Sequence, residues 1–442
     1  MLKNSLINPK LNLTLRKPFT ILLFFISIFC FSQKNKVFID TTNHDFRKAT
    51  EVFYVDKVAK TKKFIESIQE RKIRKHVDAN YKEFTDEFFE KIKKGRFIND
   101  SRYDKLSLEL LSLIQKANPE IPSIKVLFSL GNTANAYNFG DEIVVVYAKL
   151  LQKLDNKNQL AFILCHEIGH QMLQHTKKRM IANAENSFSE KVRATSKAIA
   201  KQKYNQGGLA REATKKIVYG NAAQHRKTEI QADSIGLIFY KKAFPNAKHD
   251  ALTTLELLDK MDIAKDSLVP ADFERFFGST KQPFKRQWID NDELKNYQYQ
   301  KEIKFFAIDS LKTHPDCTDR IAILKKFDAN IAKSVSVKKT DYLDFKNQTK
   351  YDEVIGLHFL KLYGDSLYET LLLLKINPND VFLKKMVYEN LLKLQDAQKT
   401  YTLAKCLDTI DPKYYDSYNL YLFFIRQLRK TEFENIIEIY KS

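Results

Sequence analysis

The sequence predicts a mainly helical chain with a small β-sheet, an α+β class, followed by an all-helical C-terminal part. Three observations lead there. Glycine and proline are sparse, 11 and 10 in 442 residues, while Lys, Leu, Glu and Ala recur in helical runs. Strand-like apolar runs gather in two short stretches, Ile124 to Phe128 and Ile143 to Tyr147. Towards the C-terminus a spacing of 34 residues recurs, from Pro378 to Pro412 and from Leu394 to Leu428.

The first element is a leader. Lys3, Lys10, Arg16 and Lys17 precede an apolar run from Phe19 to Phe31, and Cys30 and Ser32 supply the small residues of a cleavage site before Gln33. This is the layout of a secretory signal peptide over 1–32, and the run is short for a membrane span. No later stretch reaches the roughly eighteen apolar residues that crossing a bilayer requires, so the mature chain is expected to be soluble. Export, to the periplasm, is the expected localisation. Residues 1–32 contain those four basic residues and no acidic one, so their removal lowers the formal charge from +20 to +16. Such a surplus suits an anionic membrane face, touched peripherally, or acidic polypeptides; export argues against nucleic acid.

Residues 33–98 read as a charged helical lead-in, with helices over Val52 to Arg71 and Tyr81 to Lys94. The region 99–335 opens with a helix near Tyr103 to Lys116 and the two strands, and then carries the chemistry. His166-Glu167-Ile168-Gly169-His170 is an H-E-x-x-H sequence. In a helix over Ala161 to Thr176 the two imidazoles, four residues apart, share a face and can converge on one metal ion. Glu167 lies about 100° round that helix, placed to serve a water rather than the metal, which makes it the candidate general base. A catalytic zinc site takes three protein ligands and leaves one position open, so another side chain must join. Glu229 is the best candidate, in a second helix over Arg226 to Tyr240. Asp233 falls one turn later on the same face, where it can accept the second ring N–H of a ligating histidine. His175 is the rival third ligand, but the glycine and spacing of a metzincin are missing, and His175 reads as an outer or surface residue.

His166 to His170, Glu229 with Ala232-Asp233, and Thr313-His314-Pro315 followed by Arg320 resemble, in kind and in order, the zinc peptidase family of HtpX and the CAAX prenyl endopeptidases. The resemblance spans about 100 to 330. It implies a thermolysin-like zincin core with one zinc ion per chain, and for His314 and Arg320 a catalytic role beside the metal, donating hydrogen bonds to the oxyanion. Asn135-Ala136-Tyr137 with Asp141 to Tyr147 matches the family's active-site strand, making Asn135 and Ala136 candidate substrate-binding residues on an edge to which an extended peptide could add. With no span beyond the leader, the nearer relatives would be the exported, soluble branch, which includes BepA-like periplasmic proteases.

Between the two metal motifs, Thr176 to Gln224 is rich in Lys, Ala and Gln and is interrupted at Gly207-Gly208. It reads as a pair of helices capping the cleft or as a lid. Residues 341–442 read as a tetratricopeptide-like array, because each proline at the 34-residue period opens an apolar helical stretch. The expected helix pairs are Tyr351–Tyr363 with Ser366–Ile376, Val381–Leu394 with Ala397–Leu407, and Tyr414–Leu428 with Glu432–Tyr440. Three cysteines remain after the leader, an odd number that argues against a disulfide framework, although Cys165 and Cys317 each adjoin a motif. The whole reads as an exported zinc metalloendopeptidase whose polypeptide substrates would be misfolded or assembling envelope proteins. The alternative is an assembly chaperone or scaffold acting through the C-terminal array, with proteolysis rare or gated.

Overall fold

Ile143–Tyr147 can be an almost uninterrupted apolar strand because helices cover both of its faces. The computed structural model describes residues 43–131, 134–202, 206–261, 267–290, 317–331, 340–411 and 414–441. The leader over 1–32, Thr313 to Pro315 and Pro412 lie outside the described residues. The described part is mainly helical with one three-stranded sheet, as the composition predicts. None of its helices is long and apolar enough to cross a membrane.

The N-terminal layer is a helical pair, α1 (His44–Glu66) and α2 (Arg71–Lys93), followed by α3 (Ser101–Ala117). Strands β1 (Lys125–Ser129), β2 (Ala136–Gly140) and β3 (Ile143–Tyr147) assemble in the order β1-β3-β2, with β1 parallel and β2 antiparallel to the central β3. The period of two then sorts the side chains. Leu127, Phe139, Ile143 and Val145 meet Tyr54, Tyr81, Phe88 and Ile92 of the α1–α2 layer. Val126, Phe128, Val144 and Val146 enter the main core on the other face. Phe139 is the anchor on the first side, its ring 4.1 Å from Phe88 and 4.3 Å from Phe84.

The β2–β3 hairpin turns through Asp141 and Glu142, both with positive φ (53° and 65°), the backbone of a two-residue primed turn. Glu142 stands where such a turn favours glycine, so partners help to hold it. Thr61 and Tyr81 donate hydrogen bonds to the Asp141 carboxylate, Tyr81 at 2.7 Å, and Lys57 pairs with Glu142. The lead-in helices thus fix the tip of the hairpin, a task their charged sequence does not reveal.

After the short α4 (Ala148–Leu151), the chain forms α5 (Lys157–Met172), α6 (His175–Phe188), α7 (Glu190–Ala200), α8 (Gln206–Ala243), α9 (His249–Met261), α10 (Pro270–Phe277) and α11 (Cys317–Phe327). Two expectations need correcting. The helix predicted to continue to Thr176 ends at Met172, because Gln174 adopts the left-handed conformation at φ 55°. Gly207 and Gly208 do not interrupt a helix but lie in the first turn of the 38-residue α8.

The C-terminal helices are α12 (Thr340–Phe359), α13 (Tyr363–Ile376), α14 (Val381–Lys399), α15 (Asp416–Gln427) and α16 (Lys430–Ile439). Adjacent helices pack in the first region, α12 on α13, whereas in the last one α16 packs chiefly on α14, and the expected middle pair is replaced by one helix, α14, and a 3₁₀ turn at Leu403–Lys405. The physical reason is local: Gln395 to Lys399 contains no breaker, and the helix stops only before Tyr401, at φ 57°.

The first helix after the boundary expected near 335–341, α12, packs on the peptidase core. Tyr342 donates to the Leu151 carbonyl, Gln152 to that of Thr349, and the fully buried Asp352 accepts from Tyr103 at 3.1 Å and pairs with Arg102 at 3.1 Å. In the other direction, Phe273, Phe276, Phe277 and Trp288 leave the peptidase core and join the C-terminal one, around Phe424.

Glu353 on α12 carries a testable cost. Its side chain is fully buried; one oxygen accepts from Gly131 N–H at 3.2 Å and the other has no hydrogen-bond partner. Burial pushes the carboxyl up to about 8, with Lys149 opposing and Glu369 reinforcing the shift. A folded-state pKa above the unfolded value means that the group favours folding below about pH 4.3, and that this contribution is lost as pH rises through about 8. Glu353→Gln should therefore leave the melting temperature unchanged at pH 4 and raise it at pH 8, the gain in stability there being a few kcal/mol at most. Equal melting curves at pH 8 would show the charge to be better solvated than this geometry implies.

Candidate metal centre

Helix α5 is buried along almost its whole length, Asn158 to Gly169, which is why its sequence is apolar on several faces. Asn156 caps it by accepting from Gln159 N–H, and Asn156 and Asn158 both donate to Asp250 on α9, fixing its first turn. Near the other end α5 crosses α8 in close contact. A Cβ built on Gly236 would stand 2.9 Å from His166 Cα and 3.0 Å from the Cys165 carbonyl oxygen, and one on Gly169 2.9 Å from the Ala232 carbonyl oxygen. Two glycines thus let the backbones approach until the side chains of one helix reach those of the other.

That approach brings three ligand-type atoms together. His166 Nε2 and His170 Nε2 lie 3.1 Å apart, and each is 3.4 Å from a carboxylate oxygen of Glu229. The two oxygens of Glu229 each face one histidine, Oε2 towards His166 and Oε1 towards His170, and atoms bound tetrahedrally to zinc at about 2.0–2.1 Å are separated by about 3.3–3.4 Å, so the carboxylate lies within reach of an ion held between the two rings. Among the described residues these form the one group of three or more His, Cys, Asp or Glu side chains able to hold a metal ion. Both nitrogens and the carboxylate suit zinc in kind as well as in spacing.

The surroundings orient the ligands. His166 Nδ1 lies 2.9 Å from Asp233, so its N–H is donated there and Nε2 is left facing the cluster. Burial works against a charged His166 ring, but the hydrogen bonds to Asp233 and Glu229 outweigh it and bring the metal-free imidazole up to about 10. Asp233 is buried and needs a counter-charge, which Arg320 supplies from Nε and Nη2, each at 2.7 Å. Burial would raise the Asp233 carboxyl; Arg320 and His166 hold it below the usual range.

These bonds give Arg320 a role beyond the one the resemblance implies. The edge of its guanidinium is committed to Asp233, and the residue acts on the site by anchoring the carboxylate that orients His166. His314 lies outside the described residues. Glu167 is 8% exposed beside His166 on α5. His175 is not among the three converging side chains; its Nδ1 contacts His170 Nδ1 at 2.9 Å. Asn135 accepts from Tyr147 N–H and Ala136 pairs with Val146, at the edge strand β2, which packs on α5 and α6. Cys165 and Cys317 are not joined in a disulfide.

Gly236 went unremarked in the sequence, although a glycine inside a helical segment, one turn after Asp233, is the pattern that marks a close approach. Its replacement makes a sharp test. The atoms that an added methyl group would meet belong to backbone and cannot swing away, so Gly236→Ala should force α5 and α8 apart. We expect about 1–3 kcal/mol lower stability from the overpacking, together with weaker metal binding. Wild-type values for both, in thermal unfolding and metal competition, would show that the helices can separate without moving the ligands.

An H-E-x-x-H helix joined by a glutamate from a second helix, beside a small mixed sheet, defines a metallopeptidase site of the zincin kind. Residues 101–328, a little over half of the chain, match the model of peptidase family M48. The chain belongs to that family, whose members are zinc metallopeptidases. Comparison with curated proteins returned no match.

Proposed function

We propose that the chain is an exported zinc-dependent endopeptidase in which His166, His170 and Glu229 hold the metal. The observation that carries this reading is their convergence, with 3.1 Å between the two Nε2 atoms and 3.4 Å from each to one oxygen of the Glu229 carboxylate, in a family of metallopeptidases. Bound zinc supplies an acidified water and a Lewis acid for the scissile carbonyl. Glu167 takes the proton of the attacking water on its carboxylate and returns it to the leaving amine. Asp233, clamped by Arg320, keeps the hydrogen of His166 on Nδ1, so that Nε2 stays a donor atom towards the metal. Asn135 and Ala136 begin the edge strand against which an extended substrate would lie, and its pairing would select for unfolded segments. His314 is assigned, on the family resemblance, to hydrogen-bond the oxyanion.

The leader over 1–32 supports action outside the cytoplasm, on misfolded or assembling envelope proteins of a BepA-like kind. The helices after residue 340 would present a partner surface in the manner of tetratricopeptide repeats. Metal analysis of the purified chain with casein cleavage tests the enzymatic core: we expect about one zinc per chain and cleavage abolished by chelator and restored by zinc. A chain that holds zinc yet cleaves no unfolded protein would overturn it. Sequencing the N-terminus of the chain recovered from an envelope fraction tests export.

A further inference from the structure

The two histidines of the metal centre are backed by different groups. His166 rests on a carboxylate. His170 turns Nε2 towards His166 and Glu229, and its opposite ring nitrogen meets His175 Nδ1 at 2.9 Å. His170 therefore sits between two rings, His166 and His175, at centroid distances of 4.8 and 4.9 Å and steep angles to each. His175 is itself 8% exposed, so water does not take over this contact.

We propose that His175 is a positioning residue for the metal centre, accepting the Nδ1–H of His170 and so fixing the tautomer in which His170 offers Nε2 to the metal. The inference rests on the reading of His166, His170 and Glu229 as zinc ligands. Two imidazole nitrogens at this distance share one hydrogen, so one ring donates and the other accepts. When His170 Nε2 faces the metal with its lone pair, its hydrogen is on Nδ1, and His175 Nδ1 has to be the acceptor. The remaining N–H of His175 is then on Nε2, and the Gln231 side chain, two residues from Glu229, is the hydrogen-bonding group that faces this ring from α8.

The chain bends to make this contact. In a continuous helix a residue five positions after His170 would lie about 140° away round the axis, on another face. Because α5 ends at Met172 and Gln174 is left-handed, the chain reverses and α6 begins at His175 with its ring directed back at His170. The arrangement also keeps the charge of the site low. Asp233 is neutralised by Arg320, and a neutral ring behind His170 adds no second carboxylate, so Glu229 is the only anionic ligand of the three.

The test compares His175→Phe, which keeps a ring and removes the acceptor, with His175→Asn, whose Oδ1 stands where Nδ1 stood. Zinc affinity of the full-length variants is measured by chelator competition, alongside thermal unfolding of the metal-free proteins. We expect His175→Phe to bind zinc about 10–100-fold more weakly and His175→Asn to recover most of that loss, the metal-free melting temperatures being alike. Wild-type affinity in His175→Phe would overturn the proposal and leave the metal centre standing. Equal weakening in both variants would also overturn it, since the ring and not the acceptor would then matter. Failure of the wild-type chain to bind zinc would overturn the metal centre itself and this proposal with it.

Discussion

Glu167→Gln is expected to abolish peptidase activity, by roughly 10²–10⁴-fold for the loss of a general base, while zinc remains bound at wild-type affinity. The separation of the two effects is the point of the experiment. The introduced glutamine fills the same space in the same buried position on α5, and the three converging ligand atoms belong to His166, His170 and Glu229. What it lacks is a carboxylate able to take a proton. Activity on casein and on an unstructured peptide should fall together, because the proton transfer is common to both. Loss of zinc from this variant would mean that Glu167 also binds the metal, and a residual rate within tenfold of wild type would give the base to another residue.

The converging side chains were legible because each part follows a rule of spacing. Four residues on a helix return to one face, and a glutamate followed four residues later by an aspartate does the same, so two short patterns were enough to pick His166, His170, Glu229 and Asp233. The partner of Asp233 was not legible. Arg320 lies 87 residues further on, and only the folded chain shows that a buried carboxylate finds its counter-charge there. Between the two places open to His175, behind the ligands or at the surface, the sequence could not choose, for a related reason. Its contact with His170 depends on a left-handed Gln174, a conformation that glutamine does not advertise.

In the fold, the elements were more legible than their grouping. Apolar runs with few breakers located β1, β3, α3 and the helices flanking residue 378. The role of α1 and α2 was hidden, since the contacts that hold Asp141 and Glu142 join residues 60 to 85 positions apart. The C-terminal period suggested a module that could stand apart. Periodicity describes how neighbouring helices stack, but it carries no information about a helix face that is buried against something else.

That face decides the second large effect. A chain ending at residue 339 removes α12, and with it the partners of Tyr103, Arg102, Gln152 and the Gly131 N–H in the peptidase core. It would also strip Leu130 of its contact with Gly356, where the side chain covers the glycine so closely that no Cβ fits. In the same cut Phe273, Phe276, Phe277 and Trp288 lose the helices that bury them. Each such side chain moved from core to water costs about 1.5–3 kcal/mol, so the four alone approach the whole stability of an ordinary domain. We therefore expect the truncated chain to show no cooperative thermal transition, to be degraded rapidly in limited proteolysis, and to bind zinc poorly, although every ligand lies upstream. A detachable partner-binding array predicts the opposite: a truncated chain that folds, holds zinc and cleaves an unstructured peptide. That outcome would show that the contacts of α12 with the peptidase core are dispensable. Failure to fold would make the C-terminal helices part of the enzyme's own framework, so that any partner binding at their surface acts on a structure continuous with the metal centre.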